Sequence, residues 1–289
     1  TAYEIRLSLV GSEMCIETAL ASLDELNQLA LVPAAAERLA DVALAVPTPV
    51  VAEFLLAHLE RTRFASPRAG EFARHAVLNL PAGRFPAIVP LTSALAAAPL
   101  AQRFALADGL AAVSRLPDRT LPADLTAWMQ ATLVATLAQP DPVLTRRAAE
   151  AMKDLAFPGK NAPLRALFLD AKANGTVRIA AVRVVTLDSE SVADLAALLG
   201  RTTESVGLRR PAAERLGLPA AGPAGLAALL SALPTAQSDF ALSLALSLVK
   251  SDAGADALVE AVTAGKTPAL LLRHRLVATE LEKLSLIHI

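Results

Sequence analysis

Three stretches decide how this chain folds: Arg146-Arg147-Ala148-Ala149-Glu150-Ala151-Met152, Arg178-Ile179-Ala180-Ala181-Val182-Arg183-Val184 and Arg210-Pro211-Ala212-Ala213-Glu214-Arg215-Leu216. Each reads R-x-A-A-x-x-apolar, and matching letters recur 32 residues apart both times. On a helix, the second Ala and the apolar residue three positions later share one face. Small alanines let neighbouring helices approach closely, and the Met, Val or Leu fills the layer between them. Before each copy lies another Leu-rich helix, so the unit is a helix pair whose second member carries the motif. One pair cannot bury its own apolar face, so pairs must stack. Weaker copies occur upstream at Arg74-His75-Ala76 and Arg103-Phe104-Ala105.

Working outward, the pattern continues over the chain. Leu-rich segments alternate with short Pro, Gly, Asn or Asp breaks. The spacing predicts helices over Ala34–Val46, Pro49–Thr62, Ala69–Leu80, Phe85–Ala97, Pro99–Leu116, Pro122–Ala138 and Pro142–Ala156. It predicts further helices over Ala162–Ala173, Val177–Leu187, Ser191–Leu199, Leu208–Leu216, Pro223–Leu233, Ala236–Lys250, Ala253–Ala264 and Pro268–Lys283. Several open on a proline in the first turn, where the missing N–H costs nothing. Pro158-Gly159-Lys160-Asn161 is the largest interruption, but the pattern resumes unchanged beyond it, so it is not read as a domain boundary.

Composition agrees. Of 289 residues, 63 are Ala and 52 are Leu, while aromatics make up 3%. Helix formers dominate and sheet formers are thin, which excludes an all-β fold. A single Cys excludes a disulfide scaffold and any multi-cysteine metal site. With 27 basic and 28 acidic residues, no whole-chain field draws the protein to nucleic acid or anionic lipid. The longest apolar run, Phe240–Val249, is about half of a membrane span.

The motif R-x-A-A-x-x-[LMV] resembles the second helix of HEAT-like repeats, with the best match over Asp141–Pro219. That resemblance implies an all-α fold, a right-handed α-solenoid of HEAT-like helix pairs over residues 17–283. A second resemblance rests on Phe240–Leu281: a Leu-rich helix, then Gly254-Ala255-Asp256-Ala257-Leu258, Ala264-Gly265-Lys266 and Leu271-Leu272. Glu71-Phe72-Ala73-Arg74-His75 fits the same class. These features are similar to a segment of large bacterial multi-domain proteins, where helical repeats precede a c-type cytochrome domain and often follow a dehydrogenase-like propeller. It implies a periplasmic or other extracytoplasmic setting, and a redox parent whose haem would sit in a downstream domain not present in this chain. It assigns no cofactor to any residue here.

Both ends read differently. Thr1–Ile16 holds the only Tyr and the only Cys, Cys15, and Leu284–Ile289 holds His288. Both resemble translated sequencing-adapter DNA and are expected to be non-native, with the body between them an internal piece of a longer chain. The body carries 26 basic and 26 acidic residues.

Catalytic patterns fail on inspection. Gly265-Lys266-Thr267 ends like a phosphate loop, but Glu260 stands where the first glycine belongs, and the tripeptide follows a helix. A helix C-terminal glycine fits better. Ser247-Leu248-Val249-Lys250 matches S-x-x-K, yet its partner motifs are incomplete and out of order. His58-Leu59-Glu60 lacks the cysteines that zinc deaminases need. His58 and His75 on successive helices have no carboxylate third ligand. Asp252–Asp256 departs from the calcium-loop pattern and reads as a helix start. Trp128 reads as a core residue. No catalytic, metal or cofactor residue is therefore assigned. One feature is carried forward for partner binding: Arg146, Arg178 and Arg210, expected in a row, one per pair. A groove for an acidic partner or an anion is one reading of that row. Arginines bonded to carbonyls or acids of a neighbouring pair are the other.

The expected function is a non-catalytic scaffold or docking segment, bound to a protein partner or to neighbouring domains of its parent, with no nucleic acid and no membrane span. The alternative is a free-standing helical-repeat enzyme, such as a DNA glycosylase-like or bilin-lyase-like module.

Overall fold

A computed structural model describes residues 33–287, and among them every regular element is helical. There are sixteen α-helices: α1 Pro33–Ala43, α2 Pro49–Thr62, α3 Ala69–Asn79, α4 Val89–Ala94, α5 Leu100–Val113, α6 Ala123–Leu137, α7 Pro142–Ala151 and α8 Asn161–Leu169, then α9 Gly175–Val184, α10 Ser189–Gly200, α11 Val206–Leu216, α12 Gly222–Ala232, α13 Ser238–Leu248, α14 Asp252–Thr263, α15 Leu270–Arg273 and α16 Arg275–Ile287. The Thr1–Ile16 segment, Cys15 and His288 lie outside the described residues. Helix α16 takes in the first four residues of the Leu284–Ile289 tail.

The helices start where capping chemistry says they should. Thr48 and Asp141 accept from backbone N–H groups two or three residues on, and a proline follows each. Asn174, Asp188 and Ser251 cap α9, α10 and α14 in the same way. Two expected helices are broken. Phe85–Ala97 becomes a 3-10 turn over Ala82–Ile88 followed by short α4, because Pro86 and Pro90 cannot donate to the preceding turn. Pro268–Lys283 breaks at His274, whose backbone is extended and whose Nδ1 accepts from Leu276 N at 3.4 Å. An imidazole there does the work of an N-cap.

The chain divides into two compact units, one up to Gln139 and one from Pro140. In the first, α3 lies between α2 and α5, and α5 packs on α6. Ala73, Ala76 and Ala105 line these contacts. A side chain at Gly109 would meet the α3 backbone at Arg74 Cα, 3.0 Å away, so the close approach needs glycine.

The second unit has two rows. Helices α8, α10, α12 and α14 each pack on the next, and so do α7, α9, α11 and α13. Across the rows α8 pairs with α9, α10 with α11, and α12 with α13. The motif alanines Ala149, Ala181 and Ala213 are fully buried in the second row. Among the described residues no single helix is long and apolar enough to cross a membrane.

Candidate functional site

The motif helices begin at N-caps Asp141, Asn174 and Ser205, which are 33 and 31 residues apart. The letter match at 32 is therefore one residue out of phase at each step. Burial follows the caps: Val177, Arg178, Ala181 and Val182 in α9 correspond to Leu208, Arg209, Ala212 and Ala213 in α11, all buried. The expected row of Arg146, Arg178 and Arg210 is thus corrected. Arg178 and Arg209 occupy one helical position, Thr145 takes it in α7, and Arg146 and Arg210 fall one residue later.

That one residue separates two environments. Arg178 donates from Nε to Phe168 O at 3.0 Å, and Arg209 donates from Nε to Leu199 O at 2.9 Å. Both carbonyls lie ten residues upstream, in the last turn of the paired first-row helix, which ends with unpaired acceptors and partial negative charge. Each guanidinium then reaches the next pair. Arg178 forms a two-pronged bond with Glu204, Nη1 to Oε2 at 2.9 Å and Nη2 to Oε1 at 2.6 Å. Arg209 lies over the Phe240 ring, 4.5 Å from its centroid. The Arg178–Glu204 side chains are 7% and 13% exposed, so this pair is largely shielded from water. Hydrogen bonding from Arg178 holds the Glu204 carboxyl below its ordinary value, against the opposing effect of burial. Burial lowers Arg209, which as an arginine stays charged.

Arg146 is half-buried and pairs with Glu150 one turn on, at 2.7 Å. Arg210 is exposed and lines an open cleft of about 440 Å³ with Val206, Gln237, Asp239 and Phe240. The structure so gives the three arginines three different fates.

Other cations also serve carbonyls at helix ends. Arg215 Nη2 donates to Val185 O at 2.5 Å, Arg119 donates to Leu80 O, and Lys250 Nζ donates to Glu214 O at 3.2 Å. First-row helices are tied by Arg165, which bonds Asp194 Oδ2 at 2.5 Å and Glu190.

The two histidines of α2 and α3 have different partners. His58, fully buried against the Phe72 ring edge, lies 3.1 Å from Glu37 Oε2, and Ser66 donates to the other oxygen of Glu37. A serine, a carboxylate and a histidine are together, but the carboxylate stands in the middle. Nucleophilic activation needs the imidazole between hydroxyl and acid. This array clamps α1 to the α2–α3 turn. His75 Nε2 sits 3.1 Å from Val46 O. Among the described residues no three His, Cys, Asp or Glu side chains gather as metal ligands.

The phosphate-loop look-alike is a helix ending. Gly265 has φ +71°, its N–H bonds Val262 O, and Lys266 N–H bonds Ala261 O. These are the paired bonds of a Schellman cap. Ser247 is buried and donates back to Ser243 O at 2.9 Å. Trp128 is half-buried beside buried Met129.

Comparison of the chain with known protein families, with curated proteins and with solved structures finds no match.

Proposed function

We propose that this chain is a helical-repeat scaffold: a right-handed α-solenoid of HEAT-like pairs without chemistry of its own, docking a protein partner or the neighbouring domains of a larger parent. The observation that supports this reading is the arginine placed ten residues after the carbonyl it binds, in two successive pairs. What recurs in this sequence is what holds helix pairs together and joins each to the next, which is how a stacking protein uses its sequence. Among the described residues the one serine–carboxylate–histidine array, at Ser66, Glu37 and His58, has the carboxylate in the middle and so lacks the order of nucleophile, base and orienter.

The exposed charges favour a protein over a nucleic acid as partner. Glu150, Arg183 and Glu214 occupy equivalent exposed positions on α7, α9 and α11, so the row alternates in sign. A phosphate backbone needs a continuous basic stripe. Within the expected row, Arg210 is the residue best placed for a partner's carboxylate. The resemblance of Phe240–Leu281 extends the proposal to an extracytoplasmic redox parent with haem in a downstream domain.

The test has two arms. Purified chain titrated with haem should give no Soret shift, and it should turn over no substrate in hydrolase, lyase and glycosylase screens. In the parent protein, clean removal of this segment should slow reduction of the downstream cytochrome in stopped flow. Robust turnover by the isolated chain, or unchanged electron transfer after deletion, overturns the proposal.

A further inference from the structure

The second unit repeats its buried arginine but not the acid that goes with it. Arg178 and Arg209 hold one helical position, and each gives its Nε to the carbonyl ten residues upstream. The connections that follow are alike as well. Residues 201–205 join α10 to α11, and residues 233–237 join α12 to α13, five residues each. Glu204 stands just before the N-cap Ser205 and accepts from both Nη groups of Arg178. Ala236 stands just before the N-cap Gln237, where the matching carboxylate for Arg209 would have to come from.

Arg209 therefore keeps a charge without a counter-charge. It is 8% exposed, and burial lowers its pKa with no acid to raise it back. Taking a cation out of water without an anion is costly. Among the described residues its Nη1 and Nη2 have no acceptor, and both retain accessible surface. The guanidinium lies on the Phe240 ring, and Phe240 is in the wall of the open cleft of about 440 Å³. The other walls are Val206 and Arg210 from the start of α11, and Gln237 and Asp239 from the start of α13. The Gln237 side chain makes no capping bond, so the positive end of α13 adds to the field there. Arg210 is exposed, and no ion pair holds it among the described residues. Asp239 opposes an anion. Two arginines against one aspartate leave a single positive charge, which suits a monocarboxylate better than a phosphate dianion.

We infer that this cleft takes the carboxylate of a glutamate side chain on a partner polypeptide, which enters between the starts of α11 and α13. It gives Arg209 the two-pronged bond that Glu204 gives Arg178. The inference rests on the scaffold reading and names the chemistry its partner must carry. One pair earlier the chain's own Glu204 fills the equivalent position, so a carboxylate fits this arrangement of helices. An open cleft with one charged corner suits a side chain carried on a larger body, whereas a free small molecule needs enclosure.

The test follows the 15N-labelled arginine side chains of the whole chain by NMR. The probe is the capped peptide acetyl-Thr-Thr-Glu-Ser-amide, a copy of residues 202–205. Saturable shifts are expected at Arg209 and Arg210 and not at Arg178, whose carboxylate is internal. The same peptide with Gln for Glu should bind at least about tenfold more weakly. Ala236→Glu should supply the acid from within. It should raise the melting temperature by a few degrees, roughly, shift the Arg209 resonances without peptide, and abolish peptide binding. Asp239→Asn should tighten the peptide, and Arg210→Gln should weaken it. No saturable shift up to tens of millimolar peptide overturns the inference. So does inorganic phosphate binding as tightly as the Glu peptide, or an Ala236→Glu chain no more stable than the wild type. Each of these results leaves the scaffold proposal in place, since that one falls on turnover by the isolated chain or on unchanged electron transfer.

Discussion

Replacing Arg178 with Ala removes three hydrogen bonds at once: one to Phe168 O and two to Glu204. The carboxylate it leaves behind is 13% exposed, so water cannot replace the lost cation. Removing one partner of a shielded ion pair costs about 3–5 kcal/mol, and an uncapped carbonyl adds about 1 kcal/mol. The control is Arg146→Ala. Its pair with Glu150 has the same chemistry, but the side chains are 40% and 50% exposed, so the loss should be roughly 0.3–0.5 kcal/mol. Trp128, the only Trp, lies in the first unit, so its fluorescence does not report on the second. Urea titrations followed by far-UV circular dichroism, with amide exchange at α8–α11, read the second unit directly. Exchange should accelerate on both sides of the Arg178 contact, in α8–α9 and in the Glu204 turn. A double replacement, Arg178→Met with Glu204→Met, should recover most of the loss, because no charge is then buried alone. If Arg178→Ala costs no more than Arg146→Ala, the arginine is not holding the pairs together and the reasoning fails.

Acid should release the same contact. The Glu204 and Asp188 carboxyls are both held below their ordinary values, Glu204 chiefly by Arg178 and Asp188 chiefly by the Ser191 N–H. Their stabilisation is present above the unfolded-state pKa values, near 4, and is lost as pH falls through the lower folded values. Glu204→Gln should therefore be less stable than wild type at pH 7 and approach it at about pH 3, measured by thermal melts; parallel pH curves would count against this assignment. Ala181→Leu should destabilise by roughly 1–3 kcal/mol through overpacking of a fully buried site, read from urea midpoints, and a neutral result would mean the second row is loosely packed. Gly254→Ala should destabilise, since its Cβ would lie 2.1 Å from Leu248 O, whereas Gly200→Ala meets nothing within 4 Å and should be neutral or stabilising by up to about 1 kcal/mol. Equal melting temperatures for the two glycine variants would contradict the close approach at Gly254.

The helical class could be read from the chain because proline and polar caps mark most helix starts. Thr48-Pro49 and Asp141-Pro142 announce α2 and α7 to the residue. The break at His274 could not be read that way, since the segment around it has no proline or glycine and histidine is not among the usual capping residues. The letters hide the phase of the repeat for a different reason. In Arg209-Arg210-Pro211-Ala212-Ala213 the letters R-x-A-A match only from Arg210, because Pro211 stands where the match from Arg209 needs alanine, so the letter match chooses Arg210. The N-caps choose Arg209. Counted from Asp141, Asn174 and Ser205, the buried arginine of α11 is Arg209. The Arg178–Glu204 partnership joins residues 26 apart, through a turn whose path no local pattern specifies.

The ten-residue step from Phe168 to Arg178, and again from Leu199 to Arg209, also bears on how such a chain can be lengthened. Everything between carbonyl and arginine is fixed in number, because one inserted residue would swing the guanidinium away from its acceptor. The connections after α7, α9 and α11 carry no such count and differ in length. A gene encoding this unit can therefore be cut and rejoined after a second-row helix with little regard for spacing, but not inside a pair. Duplications and consensus arrays built on these boundaries should fold, and those whose seam falls between Phe168 and Arg178 should not.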